Sequence, residues 1–194
     1  MGARRGPVRL TRSTVCHEAL ALVDAEGLEA LSMRRLAARL GCEAMSLYHH
    51  VRDKADLLDA LHAAVLGDLL PEDEYDHKRA GRARQPAWRK LVGGLCRALR
   101  TALLLHPNVV PLFTSRQIKA PEALDVLHRV HNAFLAAGFK PAETDRAVYV
   151  TGMFTIGHAI FEKNERNDAT FHFGLEALLD AIAADHRKLG RTRT

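Results

Sequence analysis

Between Ser32 and Val51 two short apolar-periodic segments are separated by only three residues, Gly41-Cys42-Glu43. Met33 to Leu40 follows Ser32, an N-cap residue, and points Leu36, Ala37 and Leu40 to one side. Gly41 then allows the left-handed backbone that a sharp reversal needs. Ala44 to His50 forms the next segment, with Leu47 and the following Val51 turned inward. Two short helices joined by a three-residue turn that opens on glycine define a helix-turn-helix.

The physics of that arrangement points to duplex DNA. A helix that crosses the sugar-phosphate backbone should be basic where it faces out, and 33–40 offers Arg34, Arg35 and Arg39. The next helix must lead with small residues so that its N-terminus enters the major groove, as Ala44, Met45 and Ser46 allow. Tyr48 and His49 then present a hydroxyl and ring nitrogens to phosphates or base edges. From Met33 to Lys54 there are five basic residues (34, 35, 39, 52, 54) and two acids (43, 53), a local +3. The competing reading of the bare pattern is a small helical bundle with a solvated basic face.

Strand signals are nearly absent from the rest of the chain, and 3.6-residue periodicity recurs almost throughout, so the fold class is all-α. Thr11 or Ser13 caps a first helix with Val15, Ala19, Leu22 and Val23 on its apolar side, ending at Gly27. A fourth helix starts at Asp53, with Asp56 placed for a capping box and Leu57, Leu58, Leu61, Val65 and Leu69 as its stripe. Residues 71–86 read PEDEYDHKRAGRARQP, acidic then basic, and form the expected linker. Further helices are expected from Trp88 to the His106-Pro107 stop, over 121–137, over 141–163 and over 173–188. The chain therefore divides into 1–70, a three-helix domain with its basic arm and a connecting fourth helix; 71–86, the linker; and 87–194, a second helical domain.

Lys and Arg number 28 against 23 Asp and Glu, a net +5 and a pI near 9.4, which suits an anionic partner. The excess lies away from the turn motif: residues 1–70 carry nine basic and nine acidic groups, whereas 78–100 carry eight basic groups and no acid. That second strip has Trp88 as its one aromatic and reads as linker plus solvated helix face, not as an RNA-stacking surface. Cys16, Cys42 and Cys96 are too few and too scattered for a disulfide framework, which places the chain in a reducing cytoplasm. The basic start lacks an apolar core behind it, and no uncharged stretch, the apolar-leaning Ala147 to Phe161 included, exceeds 15 residues where a bilayer span needs about 20. A membrane is not an expected partner.

The run LSMRRLAARLGCEAMSLYHHVRDKADLLDAL, Leu31 to Leu61, resembles the DNA-binding domain of the TetR (tetracycline repressor) family. The resemblance rests on Ser32-Met33-Arg34-Arg35-Leu36-Ala37, Leu40-Gly41, Leu47-Tyr48-His49-His50, and Lys54 followed by Leu57-Leu58, and it extends over roughly 10 to 70. The tetracycline-repressor branch is resembled more loosely beyond that, through Trp88, Leu-His-Pro at 105–107, Gly-Phe at 138–139 and the stretch from Phe173 to Asp180.

The resemblance implies roles for particular residues. Arg34 contacts DNA, Ala44, Met45, Ser46, Tyr48 and His49 face the groove, and Lys54 holds a phosphate. Tetracycline repressors carry Gln-Pro where this chain has Ala44-Met45. Gln can bond adenine in a bidentate fashion, whereas Ala and Met offer only apolar contact, so the family's operator sequence does not carry over to this chain. The N-terminal arm with Arg4, Arg5, Arg9 and Arg12 has two readings, an extra DNA contact or a tail that merely adds charge.

One short helix reads few bases, so a homodimer with half-sites about 34–36 Å apart is expected. Helices 141–163 and 173–188 either finish the monomer core or pair with their copies through Tyr149, Ile160, Leu175, Leu178, Leu179 and Ile182. A pocket for a small apolar or amphipathic effector is expected among Leu61, Val65, Leu99, Leu103, His106 and Phe113, with Leu127, His131, Phe134, Met153 and Ile156 opposite them. Each of these could equally be plain core.

His106 and Glu162 fall where tetracycline repressors place magnesium-coordinating groups, but Asp68-Leu69-Leu70 occupies the place of the family's helix-four histidine. No tetracycline–magnesium site, metal site or cofactor is expected. His128 and His131 have i, i+3 spacing without a third ligand, and no GxSxG elbow, phosphate loop or Cys–His pair suggests an enzyme. The expectation is a homodimeric, ligand-responsive transcriptional regulator, a repressor released from a double-stranded DNA operator by its effector. An activator, an effector-independent regulator, or a ligand-binding or scaffold protein with a vestigial helix-turn-helix are the rivals.

Overall fold

In the computed structural model, which describes residues 10–67, 86–117, 119–162 and 166–191, every regular element among the described residues is a helix. Helix α1 (Arg12–Glu26) begins where Thr11 Oγ1 accepts from the Thr14 backbone N–H at 3.1 Å, and it buries Val15, Ala19, Leu22 and Val23. Helix α2 (Met33–Leu40) is capped by Ser32 Oγ, which accepts from Arg35 N at 3.3 Å. Gly41 is left-handed at φ +66°, and the N–H groups of Gly41 and Cys42 return to the carbonyls of Ala38 and Ala37 at 3.3 and 3.0 Å. Those bonds satisfy carbonyls that α2 would otherwise leave open, and any β-carbon at position 41 would strain the reversal.

Helix α3 (Ala44–Leu47) is shorter than the expected 44–50. Tyr48 N and His50 N donate to carbonyls three residues back, Met45 and Leu47, at 3.2 and 2.9 Å, so the last turn tightens into 3-10 geometry. Leu47 and Val51 are both buried, which pulls the end of the motif onto the core and turns the chain toward the next helix. Helix α4 (Lys54–Gly67) follows Asp53, whose Oδ1 accepts from Asp56 N at 2.7 Å. Asp56 reaches back in turn and accepts from Arg52 N at 2.8 Å, one residue before the position an ordinary capping box uses.

The later elements are α5 (Ala87–Leu105), a 3-10 turn over Pro107–Val109, α6 (Val110–Ser115), α7 (Pro121–Ala136), α8 (Pro141–Phe161) and α9 (Asp168–Arg191). Helix α9 starts at Asp168 and not at Phe173 because Asn167 Oδ1 accepts from Thr170 N at 2.9 Å, an N-cap upstream of the apolar run. No helix among the described residues is long and apolar enough to cross a membrane.

Two compact units result. The first gathers the described residues up to Ala64 together with Asn108–Ala120, and the second holds Val65–Pro107 and the described residues from Pro121 onward. Sequence reading did not anticipate that 108–120 would group with the helix-turn-helix; the expected linker lies almost wholly outside the described residues. The physical reason is visible at both ends of the segment. Asn108 Nδ2 donates to the Val23 and Asp24 carbonyls at the end of α1, at 3.2 and 3.0 Å. Arg116 Nη2 donates to Asp59 Oδ1 on α4 at 2.8 Å.

The second unit is centred on Trp88, Phe134 and Phe139, whose ring centroids are 5.0–5.3 Å apart. Helix α8 buries Thr151 and Thr155 without leaving their hydroxyls open, since they donate to the carbonyls of Ala147 and Thr151 at 2.7 and 2.8 Å. Helices α8 and α9 come together at Gly174, where a β-carbon would lie 2.7 Å from Phe154 Cζ.

Candidate nucleic-acid interface

The α3 residues divide as the motif requires. Leu47 is fully buried, while Met45 is 71% exposed and Tyr48 44% exposed. Met45 and Tyr48 lie three residues apart on one face; His49 is exposed beside them, and Ala44 and Ser46 are half-buried. A large apolar side chain left in water on so short a helix lacks a packing role, and contact with an outside surface supplies one.

The arginines of α2 do not behave alike. Arg35 is paired with Glu26 and Arg39 with Glu18 at 2.6 Å, so α1 absorbs both charges. Arg34 is exposed and makes no ion pair among the described residues, as is also true of Lys54 at the start of α4. Those two charges, unlike those of Arg35 and Arg39, are not absorbed by another described side chain.

Arg12, expected in a basic arm, is instead the first residue of α1. Its guanidinium grips Asp56 at 2.8 and 3.1 Å and also donates to the His50 carbonyl at 2.9 Å. The hydrogen bond from Arg12 holds the Asp56 carboxyl at about 2, against its ordinary 3.8, despite the opposing effect of burial. This fixes the end of the turn motif to α1 and α4. Arg4, Arg5 and Arg9 lie outside the described residues.

The residues expected to line a pocket fall into three environments. Leu61, Val65, Leu103 and Phe134 are core side chains, Phe134 within the aromatic cluster. Leu99, His106, Phe113, Leu127, His131 and Ile156 are half-buried. Met153 is 49% exposed and shares a face of α8 with Tyr149 and Ile160, which are 69% and 46% exposed. Among the residues expected at a dimer contact, Leu175 and Leu179 are buried inside one chain, while Leu178 and Ile182 are half-buried. Phe161 and Phe173 are the large exposed aromatics near the α8–α9 connection. Ile182 also lines a cleft of about 250 Å³ with Phe139, Val150 and the Glu143–His186 pair.

Glu162 does not fit a metal ligand. One oxygen accepts from Arg100 Nε at 2.6 Å; the other accepts from Asn167 N at 3.2 Å and faces His158 Nδ1 at 3.6 Å. Burial is the largest single influence and raises its proton affinity, but the bond and charge of Arg100, the Asn167 N–H and His158 together outweigh it and hold the carboxyl below its ordinary value. Arg100 also reaches Asp168 at 2.8 Å and stacks over Phe171 at 4.6 Å. Among the described residues no group of three His, Cys, Asp or Glu side chains could hold a metal ion.

Residues 16–61 match the family described as bacterial regulatory proteins, tetR family, and residues 80–169 match the tetracyclin repressor-like C-terminal domain. An HTH-type transcriptional regulator of Saccharopolyspora erythraea is 33% identical over 183 residues, covering 93% of this chain and 73% of that protein. Among solved structures, apo ActR from Streptomyces coelicolor is 25% identical with a TM-score of 0.77, covering 94% of this chain and 99% of that one. BioQ, solved with its double-stranded DNA operator, is 30% identical with a TM-score of 0.68, covering 91% and 99%. The fold and the exposed face of α3 thus define a helix-turn-helix DNA-binding transcriptional regulator. The chain belongs to the TetR family.

Proposed function

We propose that the protein is a homodimeric, cytoplasmic repressor that leaves a palindromic operator when a small apolar or amphipathic effector binds. The carrying observation is the division of α3 and α2: Met45, Tyr48 and His49 stand in solvent, and Arg34 and Lys54 make no ion pair among the described residues, while Arg35 and Arg39 are spent on α1. Arg34 and Lys54 bind phosphates, and Ala44, Met45, Ser46, Tyr48 and His49 face the major groove. The protein acts by binding, without catalysis.

Dimerisation places α8 against its copy. Tyr149, Met153, Ile156 and Ile160 recur at spacings of four, three and four on one face, and a β-carbon at Gly152 or Gly157 would meet nothing within 4 Å. The face therefore has apolar anchors with room between them for a second helix. Ile182 and Leu178 extend it along α9, whereas Leu175 and Leu179 support it from within.

Effector control follows from continuity of the chain. Helix α4 supplies residues to both compact units and follows the turn motif directly, so a ligand that favours one conformation of α4 acts on the helix-turn-helix. The half-buried candidates for contact with the ligand are Phe113 in the first unit and Leu99, His106, Leu127, His131 and Ile156 in the second. The reading is supported by relatives as well: ActR has been solved with actinorhodin bound, and BioQ with its operator. Operator fragments selected from random duplex DNA, titrated at several salt concentrations, test the proposal; affinity should fall steeply with salt.

A further inference from the structure

His62 sits on the buried side of α4, at the position where the spacing of Leu58, Leu61 and Val65 calls for an apolar residue. It is 2% exposed, and neither Nδ1 nor Nε2 has a hydrogen-bond partner among the described residues. Its ring stands edge-on to Phe113 of α6 with centroids 4.2 Å apart. One turn further, Asp59 of α4 and Arg116, the residue that follows α6, form the next rung at 2.8 Å, and Arg116 Nε is likewise buried with no hydrogen-bond partner among the described residues. Burial lowers the proton affinity of the imidazole, with Asp59 opposing and Arg116 reinforcing the effect, so the ring is neutral near pH 7.

Three unsatisfied polar atoms on adjoining rungs are costly. Each buried donor or acceptor left open costs about 1–3 kcal/mol, and an apolar residue at 62 would avoid most of it. Such a cost is retained where function uses it. The donors present are one imidazole N–H and the Arg116 Nε–H, and the wall beside them is the Phe113 ring. Their common complement is an oxygen acceptor on an apolar body.

We propose that His62 and Arg116 form the polar end of an effector site within the first unit, receiving a carboxylate, phenolate or carbonyl oxygen of an otherwise apolar ligand whose body lies against Phe113. The proposal rests on the effector reading above and adds the chemistry of the ligand to it. Because His62 and Asp59 belong to α4, the oxygen would engage the helix that supplies both units.

The test uses the full chain labelled with 15N-histidine and three probes of one shape, naphthalene, 2-naphthol and 2-naphthoate, with operator release followed in parallel. The oxygen-bearing probes should bind about tenfold more tightly than naphthalene and shift the His62 ring nitrogens. His62→Phe should fold, keep naphthalene binding and lose that preference. A 2-naphthoate response much larger than that of 2-naphthol identifies the acceptor as a carboxylate; equal responses identify an uncharged oxygen. Probes that release operator but leave the His62 nitrogens unmoved overturn the subsite and leave the effector reading standing. Probes that move His62 without releasing operator support the subsite and contradict the effector reading. Failure of all three to bind overturns the proposal.

Discussion

Arg12 opens α1 by closing on Asp56 of α4 through two nitrogens, at 2.8 and 3.1 Å, and the same carboxylate caps the Arg52 N–H at 2.8 Å. One carboxylate thereby sets the angle at which the turn motif leaves α1. Asp56 has a folded-state pKa of about 2, below its ordinary 3.8. A depressed carboxylate contributes stability that is fully present above its unfolded value and is lost as pH falls through the folded one. Acid unfolding of the helix-turn-helix unit should therefore steepen between about pH 4 and pH 2. Because Arg12 is half in solvent, the contribution is about 1–2 kcal/mol at pH 7. Asp56→Asn should remove it and flatten that limb, as read by circular dichroism against pH; an unchanged acid limb contradicts the assignment.

Arg34 and Arg39 differ in partner and should differ in effect. Arg34→Ala is expected to weaken operator binding across all sequences and to reduce the slope of log affinity against log salt by about one. Arg39→Ala breaks the bond to Glu18 and should cost at most about 1 kcal/mol of stability, with the salt slope unchanged. Fluorescence anisotropy on one operator fragment at five salt concentrations separates the two.

Glu162 and Arg100 each have about 6% of the side chain exposed, so removing one strands the other. Glu162→Ala should destabilise the second unit by about 3 kcal/mol, partly relieved by the exposed Asp168. Urea unfolding at fixed protein concentration measures this, and a loss under 1 kcal/mol would show that the pair is not a structural anchor.

Met153 and Ile160 are half exposed in one chain. A charge at either position should cost the single chain little and should prevent pairing. Met153→Asp is expected to sediment as a folded monomer with operator affinity at least tenfold weaker. A dimer of normal stability would remove α8 from the interface.

The helix-turn-helix was legible because local rules agree there: Ser32 and Gly41 mark the ends of α2, and Leu36, Leu47 and Val51 share one interior. Tertiary choices were not. Arg35 and Arg39 read as phosphate contacts until Glu26 and Glu18 of α1 appear beside them, and nothing local announces a pairing across an earlier helix. Helix α9 begins at Asp168 because of Asn167, a cap visible in the sequence but overshadowed by the apolar run from Phe173. The grouping of 108–120 with the first unit depends on Asn108 and Arg116 reaching α1 and α4, contacts over more than fifty residues. His62 left a signal, a histidine in an apolar stripe, that a search for metal spacing does not detect.

The central claim is that two copies of α3 read a symmetric duplex. Selection of bound DNA from a random pool with the full chain, repeated with Tyr48→Ala and Lys54→Ala, tests it most directly. The expected outcome is an inverted repeat with half-site centres about one helical turn, or a multiple of it, apart. Both variants should enrich it less while remaining dimeric. Enrichment of no sequence, or of the same repeat with undiminished affinity by both variants, would contradict the account.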